Sequence, residues 1–121
     1  MGDSLEPKPF DLEERTFLFA KRVREFVKGL PRTICNIEDV KQLARASGSV
    51  GANYIEANEA LGKKDFLFHI KVSRKESKES RFHLRLVDTG GAQNLEKERA
   101  VLIQEATELM NIFGAILRKS E

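Results

Sequence analysis

The stretch Phe66-Leu67-Phe68-His69-Ile70-Lys71-Val72-Ser73-Arg74-Lys75-Glu76-Ser77-Lys78-Glu79-Ser80-Arg81-Phe82-His83-Leu84-Arg85 decides how this chain folds. At 100° per residue, Phe66, Ile70, Ser73, Ser77, Ser80 and Leu84 fall on one side of a helix. Three serines on an otherwise apolar line predict close approach of a facing backbone, with hydroxyls bonding back to carbonyls of the preceding turn. Beside that line, Lys71, Arg74, Lys78, Arg81 and Arg85 occupy an arc of about 80° and form a basic stripe.

Working outward, residues 63–89 form the third of four expected helices, bounded by Gly62 and by Gly90-Gly91. Before it, a helix over residues 37–61 carries Val40, Leu43, Ser47, Val50, Tyr54 and Leu61 on one face, with Asn36 as the expected N-cap. Gly48 and Gly51 each cost about 1 kcal/mol relative to Ala inside a helix, which implies close approach of another helix. The serine line of the third helix is the expected counterpart of these small residues. Residues 11–30 show the same period through Leu12, Phe19, Val23, Phe26 and Leu30, up to Pro31. Residues 95–119, with Asn94 as expected cap, carry one line through Leu95, Leu102, Ala106, Leu109, Phe113 and Ile116 and a second through Ile103, Met110 and Leu117. That arc is wider than a surface helix needs, which predicts self-association through the second line. Residues 1–10, with Pro7 and Pro9, read as an extended arm. The fold class is therefore all-α, an antiparallel up-down four-helix bundle that self-assembles.

Composition narrows the function. One cysteine, Cys35, rules out an internal disulfide and favours the cytoplasm. No stretch reaches the roughly 20 apolar residues expected of a membrane span, and the polar N-terminus lacks a signal-peptide core. Between residues 63 and 85 there are eight Lys or Arg against three Asp or Glu, a net +5 in a chain whose total is +2. The positive charge is concentrated in one helix. Phosphates of RNA or DNA are natural occupants of such a stripe, since Lys and Arg can track a nucleic-acid backbone without reading bases. Water, or Glu side chains of another helix or subunit, could neutralise it instead. Phe68 and Phe82 lie beside the stripe and read as core or interface.

Asn53 and Glu56, a turn apart on the second helix, read as a structural polar lock, with Glu56 buried against Arg74, Lys75 or Lys78 of the third. No catalytic constellation and no cofactor is indicated. A di-iron bundle needs Glu-x-x-His on two helices, which is missing, and His69 and His83 are fourteen residues apart on one helix, so no metal site is expected. Cys35 has no nearby His to activate it, and neither a Walker loop nor a dinucleotide glycine fingerprint occurs.

The run Gln42-Leu43-Ala44-Arg45-Ala46-Ser47-Gly48-Ser49-Val50-Gly51-Ala52-Asn53-Tyr54-Ile55-Glu56-Ala57 resembles the signature of the four-helix-bundle proteins associated with 23S ribosomal RNA intervening sequences. Lys63-Lys64-Asp65-Phe66, residues 70–81, Phe19-Ala20 and Leu30-Pro31 extend the likeness over roughly residues 17–117. The resemblance implies an up-down bundle assembling into rings, often a homopentamer. It also implies a non-enzymatic role with RNA, DNA or a ribonucleoprotein as partner, since the family includes relatives of the accessory protein of diversity-generating retroelements. The other role compatible with the residues is a purely structural protein–protein interaction module whose stripe is neutralised at subunit interfaces. Where many members have Glu-Gly, Glu56 is followed here by Ala57, which predicts a helix continuing toward Gly62.

Overall fold

Asp11 starts the first helix by accepting the Glu14 N–H on its carboxylate at 3.4 Å, with Glu13 and Glu14 at the positive end of the helix dipole. The computed structural model describes residues 11–120, in which α1 (Leu12–Val27), α2 (Ile34–Asn58), α3 (Lys63–Leu86) and α4 (Gln93–Ser120) are joined by short turns. Each helix packs on two neighbours in the ring order α1, α2, α3, α4, and the α1–α4 contact that closes the ring is the least extensive. The result is the expected up-down four-helix bundle. The expected arm, residues 1–10, lies outside the described residues.

Helix ends differ from the periodic reading because turns and caps set them. The first helix ends at Val27, where residues 28–30 tighten into a turn with Leu30 N–H donating to the Val27 carbonyl at 3.2 Å, yet Leu30 stays buried. Thr33, not Asn36, caps α2, its hydroxyl accepting the Asn36 N–H at 3.1 Å. Asn36 is buried instead. Its Nδ2 donates to the Pro31 carbonyl at 2.9 Å and the Asp88 carbonyl at 2.8 Å, while its Oδ1 accepts the Asp88 N–H at 2.9 Å. One amide thus ties the α1–α2 turn to the α3–α4 turn. The second helix stops at Asn58 rather than continuing to residue 61, and α3 stops at Leu86, where Val87 turns extended. Gly90 and Gly91 take φ of 69° and 81°, backbone that favours glycine, and α4 starts two residues later. Asn94 accordingly sits inside the first turn of α4 and is not its cap.

The core is built from Phe19, Val23 and Phe26 of α1, Leu43 and Val50 of α2, Ile70 and Leu84 of α3, and Leu102, Leu109 and Phe113 of α4. The serine line packs as its residues imply. Ser73 Oγ donates across to the Val50 carbonyl of α2 at 2.9 Å, while Ser77 and Ser80 donate back to the Ser73 and Glu76 carbonyls, each at 2.8 Å. The two helical glycines serve a different neighbour. A Cβ on Gly51 would lie 2.8 Å from Thr16 Oγ1 of α1, and one on Gly48 would lie 3.2 Å from the Arg24 guanidinium, also of α1. The expected close approach is real, but α1 makes it.

The wide apolar arc of α4 has an explanation within one chain. Leu102, Ala106, Leu109 and Phe113 face the core, Leu117 is buried, and Ile103 and Met110 are half-buried. Because α4 packs on both α3 and α1, its second line is largely covered without another subunit. By length and composition α4 could cross a membrane, contrary to the sequence expectation; its most apolar line is nevertheless buried among the other three helices.

Replacing Asn36 with Ala removes all three bonds of the tie and leaves the part-buried Asp88 N–H without its acceptor. Asn36→Ala is expected to destabilise the fold by about 2–3 kcal/mol. Urea unfolding will show a lower midpoint at unchanged slope, and an unshifted midpoint would contradict the role of the amide.

Candidate nucleic-acid interface

The third helix presents three differently charged sides. Its buried side is the serine and apolar line. On the flank toward α2 lie its acids and histidines. Glu76 is 6% exposed, with Oε2 accepting from Arg45 Nη1 of α2 at 3.4 Å and Oε1 at 3.3 Å from Arg45 Nη2, an ion-pair distance without hydrogen-bond alignment. The same guanidinium bonds Glu79, and these carboxylates, Glu76 first, push the Arg45 pKa up. His83 Nδ1 is 2.9 Å from Asp39 Oδ1, and His69 Nδ1 is 3.0 Å from Asn53 Oδ1. Since Asn53 Nδ2 donates to the Ser49 carbonyl and hydroxyl, its Oδ1 is the acceptor and His69 Nδ1 the donor.

This corrects the polar lock. Asn53 does join α2 to α3, but through His69, and Glu56 is exposed rather than buried against α3. The buried carboxylate of the α2–α3 seam is Glu76, and its cation comes from α2. A helical period shows that a carboxylate shares a face with small residues without showing which neighbour covers that face. Among the described residues, no group of three His, Cys, Asp or Glu side chains could hold a metal ion. Cys35 is exposed.

The flank toward α4 carries the five cations together. Lys71, Arg74, Lys78 and Arg85 are exposed, and Arg81 is half-buried with Nη1 donating to Thr107 Oγ1 of α4 at 3.4 Å. Among the described residues, none of the five has a carboxylate within ion-pair distance. Helix α4 turns three of its acids the other way, while Glu96 bonds Arg99 of α4 and Thr89. Glu105 and Glu108 meet Arg15 of α1 at 2.7 and 2.8 Å, and Glu98 meets Arg22 of α1 at 2.6 Å. Bonds from Gln104 and then Arg15 hold the Glu108 carboxyl below the usual carboxylate range. Toward the stripe α4 instead presents Thr107 and Gly114, small residues seven positions apart.

Sequence reasoning missed Arg118. A Cβ on Gly114 would lie 3.4 Å from Arg118 Nη1 and 3.7 Å from Arg74 Nε, so a cation of α4 joins the stripe. The small row on α4 was the signal available for it. Phe68 and Phe82, read as core or interface, are 59% and 54% exposed, which takes them out of the core of this chain. Each stands edge-on to a neighbouring histidine, His69 or His83.

The family described as 23S rRNA-intervening sequence protein matches residues 9–115. No curated protein matches the chain. A solved structure from Bacteroides thetaiotaomicron, a protein with unknown function from the S23 ribosomal protein family, is similar with a TM-score of 0.73. It is 22% identical, and the match covers 87% of this chain and 96% of that one, a likeness of fold.

Removing Arg45 would strand Glu76 in the α2–α3 seam. Arg45→Ala is expected to cost about 2 kcal/mol, less than a fully buried pair because the guanidinium is half exposed. In a Glu76→Gln background the same substitution should cost under about 0.5 kcal/mol, and equal costs in both backgrounds would show that the pair is not coupled.

Proposed function

The chain belongs to the 23S rRNA-intervening sequence protein family, and from the charge layout of its third helix we propose that it is a non-enzymatic, self-associating cytoplasmic bundle that holds nucleic-acid phosphates along Lys71, Arg74, Lys78, Arg81 and Arg85. One observation carries this reading: among the described residues the five cations lack carboxylate partners, while Glu98, Glu105 and Glu108 of the adjoining α4 pair with α1 and Glu96 with Arg99 of α4 itself. Like charges three and four residues apart repel by a few tenths of a kcal/mol per pair, and a polyanion relieves that repulsion along the whole row. The stripe runs about 21 Å along the helix axis, at 1.5 Å per residue, and so matches several consecutive phosphates rather than one small anion. The family description names an RNA context, which agrees with an RNA or ribonucleoprotein partner. RNA and DNA both offer the backbone that the stripe would contact.

Self-association, with a homopentamer as the expected state by family resemblance, is supported by apolar side chains that one chain leaves uncovered. Leu18 and Val101 line the α1–α4 closure, Phe17 is exposed elsewhere on α1, and Phe68, Phe82 and Leu86 are exposed along α3. The last three favour a second reading, in which the flank of α3 meets another subunit and the cations are neutralised there, leaving a purely structural interaction module.

Salt dependence separates these. Five phosphate contacts predict that log affinity falls with log salt at a slope of about −4.5 on duplex or −3.5 on single strands. Fluorescence anisotropy with labelled RNA and DNA should show this, and Arg74→Ala or Arg81→Ala should each reduce the slope by about 1. Absence of binding at about 50 mM salt, where phosphate contacts are strong, would reject the nucleic-acid reading in favour of the interaction module. Light scattering at micromolar concentration measures the mass, and a monomer would reject self-association.

A further inference from the structure

We propose that Arg74 of α3 and Arg118 of α4 form a two-guanidinium clamp over Gly114 that takes a phosphodiester group of a bound nucleic-acid strand. This rests on the nucleic-acid reading of the stripe and adds to it a residue from a second helix. The geometry starts at Gly114, which is buried and has no side chain to separate the two groups. The point where its Cβ would stand is 3.4 Å from Arg118 Nη1 and 3.7 Å from Arg74 Nε. Two guanidinium groups therefore converge on one spot of the α4 backbone, and both residues are exposed to incoming ligand.

Among the described residues, neither arginine has a carboxylate within ion-pair distance. At other helix seams the arrangement is the reverse: Arg15 and Arg22 of α1 meet Glu105, Glu108 and Glu98 of α4, and Arg45 of α2 meets Glu76 and Glu79 of α3. The chemistry suited to two adjacent forks is an anion with several oxygens, each accepting paired N–H bonds, and a phosphodiester supplies that. Lys71 and Lys78, about one turn to either side of Arg74, are placed for the neighbouring phosphates of the same strand. The negative end of the α4 dipole favours any cation in the last turn, Lys119 included, but it does not require a fork directed at Gly114.

Arg118→Lys keeps the charge and its favourable place at the helix end but loses the fork, so it tests the clamp with little risk to folding. Binding is read by anisotropy on a labelled single-stranded RNA oligonucleotide across a salt series, with Lys119→Ala as the neighbouring charge control. Arg118→Lys is expected to weaken binding about 10-fold, against no more than about 2-fold for Lys119→Ala. Because the clamp acts as one unit, Arg74→Ala combined with Arg118→Ala should weaken binding by clearly less than the product of the two single effects. If Arg118→Lys binds as the unmodified protein does, or weakens no more than Lys119→Ala, the clamp is rejected while the stripe reading stands. If the unmodified protein binds no nucleic acid at low salt, the stripe reading itself is rejected and the clamp with it.

Discussion

The close contact of α3 with α2, marked by the Ser73 hydroxyl on the Val50 carbonyl, is the constraint from which the charge layout follows. A buried line made largely of serines brings the two backbones together and satisfies its own hydroxyls on helix carbonyls. Long side chains are thereby displaced to the flanks of α3. On one flank Glu76 and Glu79 meet Arg45, and on the other the five cations stand along α4. A larger residue at Ser73 would move α3 away from α2 and with it the alignment of both flanks. The stripe is thus positioned by packing at least as much as by its own charge.

Helix periodicity made the bundle legible in the sequence, and the basic arc as well, because both depend only on angular position along one helix. What the period left open was which neighbour covers a given face. Gly48 and Gly51 announced a close helix without saying that it is α1. Asn36 had the residue type of a cap, yet Thr33 lies three residues earlier with a hydroxyl able to do the same, and the amide was left for the two turns. Glu56 was read into the seam from its place on α2, and only the rotation of α2 against α3 leaves it exposed and Glu76 enclosed. Arg118 belongs to the same class, since its approach to Arg74 depends on the antiparallel register that sets Gly114 opposite Arg74 and Thr107 opposite Arg81.

Helix α4 shows how one element serves two neighbours of opposite character. Its acids hold Arg15 and Arg22 of α1 across the least extensive helix contact, where apolar packing alone is thin. Its small residues face the stripe and let arginine stems lie against the helix. An acid at position 107 or 114 would have neutralised the stripe within the chain. With Glu98, Glu105 and Glu108 on one edge, Thr107 and Gly114 on the other and Glu96 held by Arg99, the cations keep no partner among these acids, and this bears on function more directly than net charge, which is only +2.

Ionic strength acts on these edges in opposite senses. Screening weakens the exposed parts of the α1–α4 ion pairs and so loosens the closing contact, while it also relieves repulsion among the cations of α3. A polyanion bound along α3 removes the repulsion locally without touching Glu98, Glu105 or Glu108, which already have their partners on the far edge of α4. Occupied, the stripe contributes stability through the differential affinity of the folded state for the anion, while the α1–α4 closure remains as it was. The segregation of charge on α4 therefore allows a strongly charged ligand to bind one edge of the bundle without competing for the ion pairs that hold the other edge shut.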